Sequence, residues 1–294
     1  MFAWFVLILL GAIWGASYMF IKIGVQTIPP LTFVEGRVLL AALALLAVLR
    51  WRGEAIPRDR RTWIVLIAMG VFNGAIPYTA ITWGETVISS SLAAILTAAM
   101  PLFTVTFAHW WTHDERLTPA KVLGILIGFL GVVVLFIPEL QRGVQMEFWG
   151  QAAIIVATVS YALATLIARK FLGGVSHTIA ATGQLGSAAA IMLPLSLAFE
   201  RPWTLRPALE ALGALAILAL LGTAFAYILY YWLVEHTGAT RTALVTYLIP
   251  ITGIFWGALI LAEPIVWEAI LGLALIIGGV ALVNRSSAAR ESAK

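Results

Sequence analysis

Cysteine is absent from all 294 residues, which excludes disulfides, thiolate metal sites and cysteine nucleophiles. Histidine is almost as scarce, and His109, His113, His177 and His236 are scattered singly without ligand spacing, so no metal site is expected. Charge is also thin, at 11% of residues against about 25% in a soluble domain. No acidic residue falls in the middle of an apolar run, because Glu35, Glu85 and Glu263 all sit near run ends. The buried carboxylate expected of a proton-driven antiporter is therefore not found, which favours gradient-driven movement. An intramembrane enzyme would need a nucleophile–base pair, paired carboxylates or histidine ligands at depth, and none is present. No cofactor is expected either. The net charge of +4 carries no argument for nucleic acid, since cytoplasmic loops of membrane proteins are ordinarily basic.

What the chain has in quantity is apolar side chain: 62% of residues are hydrophobic and the mean hydropathy is +0.99. A helical span needs roughly 20 apolar residues, so about ten fit into this length with little left for a soluble domain. The breaks fall at Pro29-Pro30, the charged stretch Arg50 to Arg61, Arg201-Pro202 and Glu263-Pro264. They predict an all-α integral membrane protein with the lipid bilayer as its partner. Its spans are expected near residues 3–25, 31–49, 62–84, 88–110, 119–138, 148–168, 176–198, 208–233, 241–262 and 266–284.

The second half repeats the first. At an offset of 149, Tyr78, Trp83, Ala94, Thr97 and Pro101 recur as Tyr227, Trp232, Ala243, Thr246 and Pro250. At an offset of 148, Glu115, Gly124, Gly131 and Val132 recur as Glu263, Gly272, Gly279 and Val280. The division predicts one five-helix unit over 1–140 and a second over 141–294, the latter ending in a short tail. Five spans per unit is odd, so the second unit is inverted, as in transporters that place their site between the copies. Basic residues set the orientation. Arg50, Arg52, Arg58, Arg60, Arg61, Arg116, Lys121, Arg169, Lys170, Arg241, Arg285, Arg290 and Lys294 gather on one side, against Arg142, Arg201 and Arg206 on the other. Both termini are thereby placed in the cytoplasm.

Particular residues carry a resemblance. Trp14-Gly15-x-Ser17 leads to Lys22 in the first span, Arg37 lies in the second, Pro101 in the fourth, and Glu115 precedes Gly124 by nine. Tyr161 to Arg169 repeats the eight-residue spacing of Trp14 to Lys22. Over almost its whole length the chain resembles the ten-helix EamA branch of the drug/metabolite transporter superfamily, with aromatic amino-acid exporters as the nearest subgroup. The resemblance implies a bacterial inner-membrane exporter of amino acids or related small metabolites. It also implies a central cavity lined by the first, third, fourth, sixth, eighth and ninth helices, in a carrier able to work as a monomer. The second unit departs from the first in having Tyr161 at the place of Trp14 and no basic residue matching Arg37.

Polar groups inside a bilayer are costly and are functional candidates by default. Tyr78 with Thr82, and Tyr227 with Tyr231, are spaced i, i+4 and share helix faces that could wall a cavity, with Asn73 one turn away. The same residue types also serve in interfacial belts and helix packing. Pro101 and Pro250 each free a carbonyl one turn earlier, at Thr97 and Thr246, and are candidate hinges or simple kinks. Trp14, Ser17 and Tyr18 in the first span and Tyr161 with Thr165 in the sixth combine aromatic faces with hydroxyls; Met100 adds an apolar wall. These residues suit a small zwitterionic or amphipathic substrate. Lys22 and Arg169 lie near span ends and are expected to snorkel, whereas Arg37 is deeper and is expected to pair with another helix or to hold a carboxylate. Gly11 with Gly15, and Gly124, Gly128, Gly131, Gly272, Gly278 and Gly279, are read as close-packing surfaces. Direction is open, as alternating-access carriers run either way, so a multidrug or solute importer and a non-transporting assembly protein remain rival readings.

Overall fold

Ten apolar helices follow one another along the chain in the computed structural model, which describes residues 2–111 and 117–291, with side chains for all but 239, 240 and 285–291. Glu115 of the repeat, His113, and Arg116 and Lys294 of the charge count lie outside the described residues; so do the side chains of Arg285 and Arg290. Among the described residues nine helices are long and apolar enough to cross a membrane. They are α1 (Phe2–Gly24), α2 (Pro30–Trp51), α3 (Arg60–Gly84), α4 (Ser90–Trp111), α5 (Pro119–Arg142), α6 (Met146–Phe171), α7 (His177–Phe199), α8 (Leu209–Thr237) and α10 (Trp267–Glu291). The shorter α9 (Val245–Leu261) completes the set of ten.

Helix starts follow local chemistry. The Asp59 side chain accepts from Thr62 N at the start of α3, Ser89 from Leu92 N at α4, and Thr118 from Lys121 N at α5. Each satisfies one of the orphan donors of a first helical turn. Pro30 and Pro119 open α2 and α5, where the missing N–H costs nothing. Helix α9 stops at Ala262, whose left-handed φ of 52° is held by a non-glycine residue immediately before Glu263.

Packing repeats with the two halves exchanged. Helix α1 lies on α9 and α8, and α6 lies correspondingly on α4 and α3; α2 packs on α8 as α7 does on α3. The pairs α2–α7, α4–α9 and α5–α10 join like to like. Helices α3 and α8 each contain one π-helical turn, Gly70–Ala75 and Leu220–Phe225, at matching depths. Such turns interrupt the regular ladder and frequently mark functional positions.

Small residues set the closest approaches. On α1, a Cβ at Gly11 would stand 2.6 Å from the Leu248 Cβ and one at Gly15 2.8 Å from the Gly253 nitrogen, so this stripe is the seam with α9. Thr252 Oγ1 donates to the Gly11 carbonyl at 2.8 Å and Trp256 Nε1 to that of Ala12 at 3.2 Å across the same seam. Gly124, Gly131, Gly272 and Gly279 bring α5 and α10 together, and Gly128 receives Leu102 of α4. Gly278 departs from the close-packing expectation: nothing stands within 4 Å of a side chain there, because it faces away from α5.

Candidate functional site

A polar and aromatic cluster occupies the junction of α1, α2, α3, α6, α7 and α8. At its centre the Arg37 guanidinium carbon lies 3.9 Å from the centroid of the Tyr78 ring, and Arg37 Nε donates to Thr223 Oγ1 at 3.0 Å. Thr223 belongs to the π turn of α8, whose own hydroxyl donates to the Leu218 carbonyl. The π turn of α3 supplies Asn73, whose Nδ2 donates to Gln184 Oε1 of α7 and to the Tyr227 hydroxyl of α8, both at 3.1 Å. The two irregular turns therefore place one hydrogen-bonding residue each toward the centre.

Tyrosines surround these groups. The Tyr78 and Tyr161 rings are 6.5 Å apart, and Tyr227 stacks with Tyr231 at 5.9 Å. The Tyr78 and Tyr227 hydroxyls interact, so the pair matched by the duplication meets in space. Tyr18 of α1 reaches Thr97 of α4, and Arg37 is within electrostatic range of both Tyr18 and Tyr161. Tyr161, Tyr227 and Tyr231 remain partly accessible, while Tyr18 and Tyr78 are buried.

The other candidates are dispersed. Trp14 packs against Tyr230 in the α1–α8 seam with ring centroids 5.5 Å apart, and Ser17 donates to its own helix at Ile13. Thr97 and Thr246 donate within their own segments, to Ala93 and Ala243, and Thr165 to Tyr161. Met100 is half-buried beside the interruption of α4 between Thr97 and Met100 that Pro101 accompanies. Pro250 behaves differently, for α9 runs through it and the chain breaks earlier, at residues 243–244. Thr82 is fully buried and its hydroxyl has no hydrogen-bond partner.

Two charge readings change. Lys22 does not snorkel: its Nζ donates to the carbonyls of Glu85 at 2.6 Å and Ile88 at 2.7 Å, where the end of α3 leaves acceptors unpaired. Arg169 is exposed on the last turn of α6. Glu35 and Glu85, placed by sequence at span ends, are both buried, and neither carboxylate has a hydrogen-bond partner. Position along the chain hid this, since neighbouring helices rather than span ends decide access. The fold therefore does hold buried carboxyls, at Glu35 and Glu85. Burial pushes the Glu85 carboxyl, in the connection after α3, well above the usual carboxylate range, and Lys22 acts in the opposite sense.

Sequence reasoning passed over Gln184, the amide that pairs with Asn73. Its signal was present as a lone long amide in the small-residue run of α7. Glu263, legible in the sequence as a repeat marker at a span end, has a structural role. It closes one end of the bundle, where its Oε1 accepts from Ser90 N at 2.8 Å and its Oε2 from Ser91 N at 3.0 Å and Ser91 Oγ at 2.6 Å. Glu200 ties α2 at the same end, accepting from the Leu31 and Thr32 nitrogens. Helices α4 and α9 meet along Ser90–Thr97, whereas Met100–Trp111 packs on α6 instead. Beside that second half lies an open cleft of about 480 Å³ between Phe107, Trp110 and Trp111 of α4 and Leu163 and Lys170 of α6.

Two stretches, residues 1–137 and 148–285, match the EamA-like transporter family. The chain belongs to that family. This EamA-like transporter is a multi-pass membrane protein of the drug/metabolite transporter superfamily. It is 24% identical over 268 residues to the uncharacterized transporter YoaV of Bacillus subtilis, covering 91% of each chain. It is 27% identical to the uncharacterized inner membrane transporter YedA of Escherichia coli K12, over 92% of this chain and 87% of that one. Protein PagO of Salmonella typhimurium is 25% identical over 84% of this chain and 81% of its own. A solved crystal structure shares the fold at a TM-score of 0.69, with 18% identity and 96% of both chains covered.

Proposed function

We propose that this EamA-like transporter exports neutral amino acids, aromatic ones foremost, and related small metabolites across the bacterial inner membrane by alternating access. The observation that carries the reading is the buried Arg37 guanidinium over Tyr78 amid Tyr18, Tyr161 and Tyr227. A guanidinium offers a planar fork of donors that matches a carboxylate, and aromatic faces suit an apolar or aromatic body. An amino acid has both parts.

Alternating access is supported by the uneven ends. The halves are tied at one end through Glu263 and Glu200, where Lys22 also holds α1 to the α3–α4 connection of its own half, while the inner parts of α4 and α9 are not joined in the same way. Two inverted units, 1–140 and 141–294, can exchange these roles. The excess of Lys and Arg in one set of loops supports cytoplasmic termini, with the tied end periplasmic. One copy suffices for this cycle. Net direction follows the substrate gradient.

The test is efflux from liposomes holding the purified protein. Preloaded phenylalanine, tyrosine and leucine should leave faster than from protein-free vesicles. A broad amino-acid panel with no protein-dependent release overturns the reading.

A further inference from the structure

Gln184 stands in the tyrosine cluster with half of its amide unused. It is 4% exposed, and its Nε2 is buried without a hydrogen-bond partner. Its Oε1 accepts from Asn73, whose Nδ2 directs one N–H there and the other to the Tyr227 hydroxyl. Ala181 and Ala188, one turn to either side on α7, lie in the apolar core that also holds Tyr78. A long amide among small apolar neighbours is costly, and orphaned buried donors are rare in folded proteins. Beside it Asn73 and Tyr227 are partly accessible, so the unused amide lies just behind the reachable face of the cluster.

The chemistry of the missing partner follows from the network. As the amides stand, Gln184 offers two N–H donors; reversing both amides leaves its oxygen as the orphan instead. A hydroxyl both accepts and donates and completes either arrangement. A carbonyl answers only one of them, and a bare ring neither.

Arg37 and Gln184 occupy opposite ends of a line of contacts. The guanidinium lies on the Tyr78 ring, the Tyr78 hydroxyl meets that of Tyr227, and Asn73 links Tyr227 to Gln184. Tyr78 itself spans much of that line. A substrate phenol laid alongside it, with its carboxylate at Arg37, directs its own hydroxyl toward Asn73 and Gln184.

We propose that Gln184 is a specificity-determining residue that binds a ring hydroxyl, so that the carrier takes tyrosine and other ring-hydroxylated aromatic amino acids ahead of phenylalanine. The proposal rests on amino-acid export through the tyrosine cluster and adds a contact at the far end of the substrate. Sites that hydrogen-bond a substrate hydroxyl discriminate against the analogue lacking it more sharply than apolar pockets do, because the site's polar groups are then left unpaired.

The experiment is efflux from proteoliposomes preloaded with equal tyrosine and phenylalanine, in which the two release rates give the ratio of kcat/KM directly. The native protein should favour tyrosine by about tenfold or more, and Gln184→Met, close in volume but without the amide, should bring the ratio below about twofold. A purely structural role for Gln184 would slow both compounds and leave the ratio as it was. 4-Fluorophenylalanine, with a similar outline but no hydroxyl, should leave the native vesicles like phenylalanine. A tyrosine preference retained in Gln184→Met, or 4-fluorophenylalanine released as fast as tyrosine, overturns the proposal. Equal native release of tyrosine and phenylalanine overturns it too while leaving export intact, whereas release of neither removes the export reading and this assignment with it. If Gln184→Met fails to elute as a single species, the three compounds compared in the native protein decide.

Discussion

Arg37 and Tyr78 form a cation–π pair, with the guanidinium carbon 3.9 Å from the ring centroid and the Nε fixed by Thr223. Three helices are thereby joined at one charged group. The fixed fork is what distinguishes arginine from lysine, which carries the charge as a point. Arg37→Lys should lower the efflux kcat/KM for phenylalanine by about tenfold, or ~1.4 kcal/mol, while leaving expression intact. Equal kcat/KM in the two proteins would remove Arg37 from the substrate site.

Removing the Tyr227 hydroxyl deprives Asn73 of one of its two acceptors. The lost hydrogen bond is worth about 1 kcal/mol, and Tyr227→Phe should lower the thermal midpoint by a few degrees. Efflux should fall as well. Trp110→Phe, at a residue 74% exposed, should change neither. Equal effects at the two positions would contradict the placement of the cluster.

The Glu263 carboxylate gathers donors from Ser90 and Ser91 at the start of α4. An amide in its place turns a donor toward donors, so Glu263→Gln should loosen this end of the bundle at a cost of ~1–3 kcal/mol. Because the native chain has no cysteine, a single Thr82→Cys reports the change directly. Thr82 is fully buried in the tied state, and its labelling by a membrane-impermeant thiol reagent should accelerate when Glu263→Gln is added. An unchanged rate would show that Glu263 is not a tie between α4 and the α9–α10 connection.

Stability should depend on pH through Glu85. Burial raises its carboxyl well above the usual range, with Lys22 opposing and Glu263 reinforcing the shift. A group whose folded pKa is raised stabilises the fold fully below its unfolded value, and that contribution is lost as pH rises through the folded value. The native protein should therefore lose thermal stability from pH 5 toward alkaline pH. Glu85→Gln, a neutral mimic of the protonated acid, should lose less over the same interval. Parallel profiles would contradict a protonated Glu85.

The α1–α9 seam tolerates no added volume at Gly15, where a Cβ would stand 2.8 Å from the Gly253 nitrogen. Gly15→Ala should cost about 1–3 kcal/mol by overpacking. Gly278→Ala, which meets nothing, should be neutral or stabilising by up to ~1 kcal/mol through helix propensity. Thermal midpoints of the two variants separate these outcomes, and a neutral Gly15→Ala would count against the seam.

The ten spans were legible because apolar runs of bilayer length end at proline pairs, glycines or charge, and most bounds agree within a few residues. Tyr78 and Tyr227 were legible as a pair because the duplication repeats them. Long-range partners were not. Lys22 read as a snorkelling residue because its acceptors, the carbonyls of Glu85 and Ile88, lie more than sixty positions away. The burial of Glu35 and Glu85 depends likewise on helices packed against them, and nothing local to either residue announces it. Pro250 matched Pro101 in sequence, yet only α4 is interrupted beside its proline, since the break at 243–244 precedes α9, which runs through Pro250. The π turns carried no sequence signal beyond their Gly and Thr or Asn content.

Efflux of phenylalanine from proteoliposomes, compared among the native protein, Arg37→Gln and protein-free vesicles, tests the central claim most directly. The account predicts release by the native protein well above the vesicle background and at least about tenfold slower release by Arg37→Gln. Native release equal to that of protein-free vesicles would contradict it.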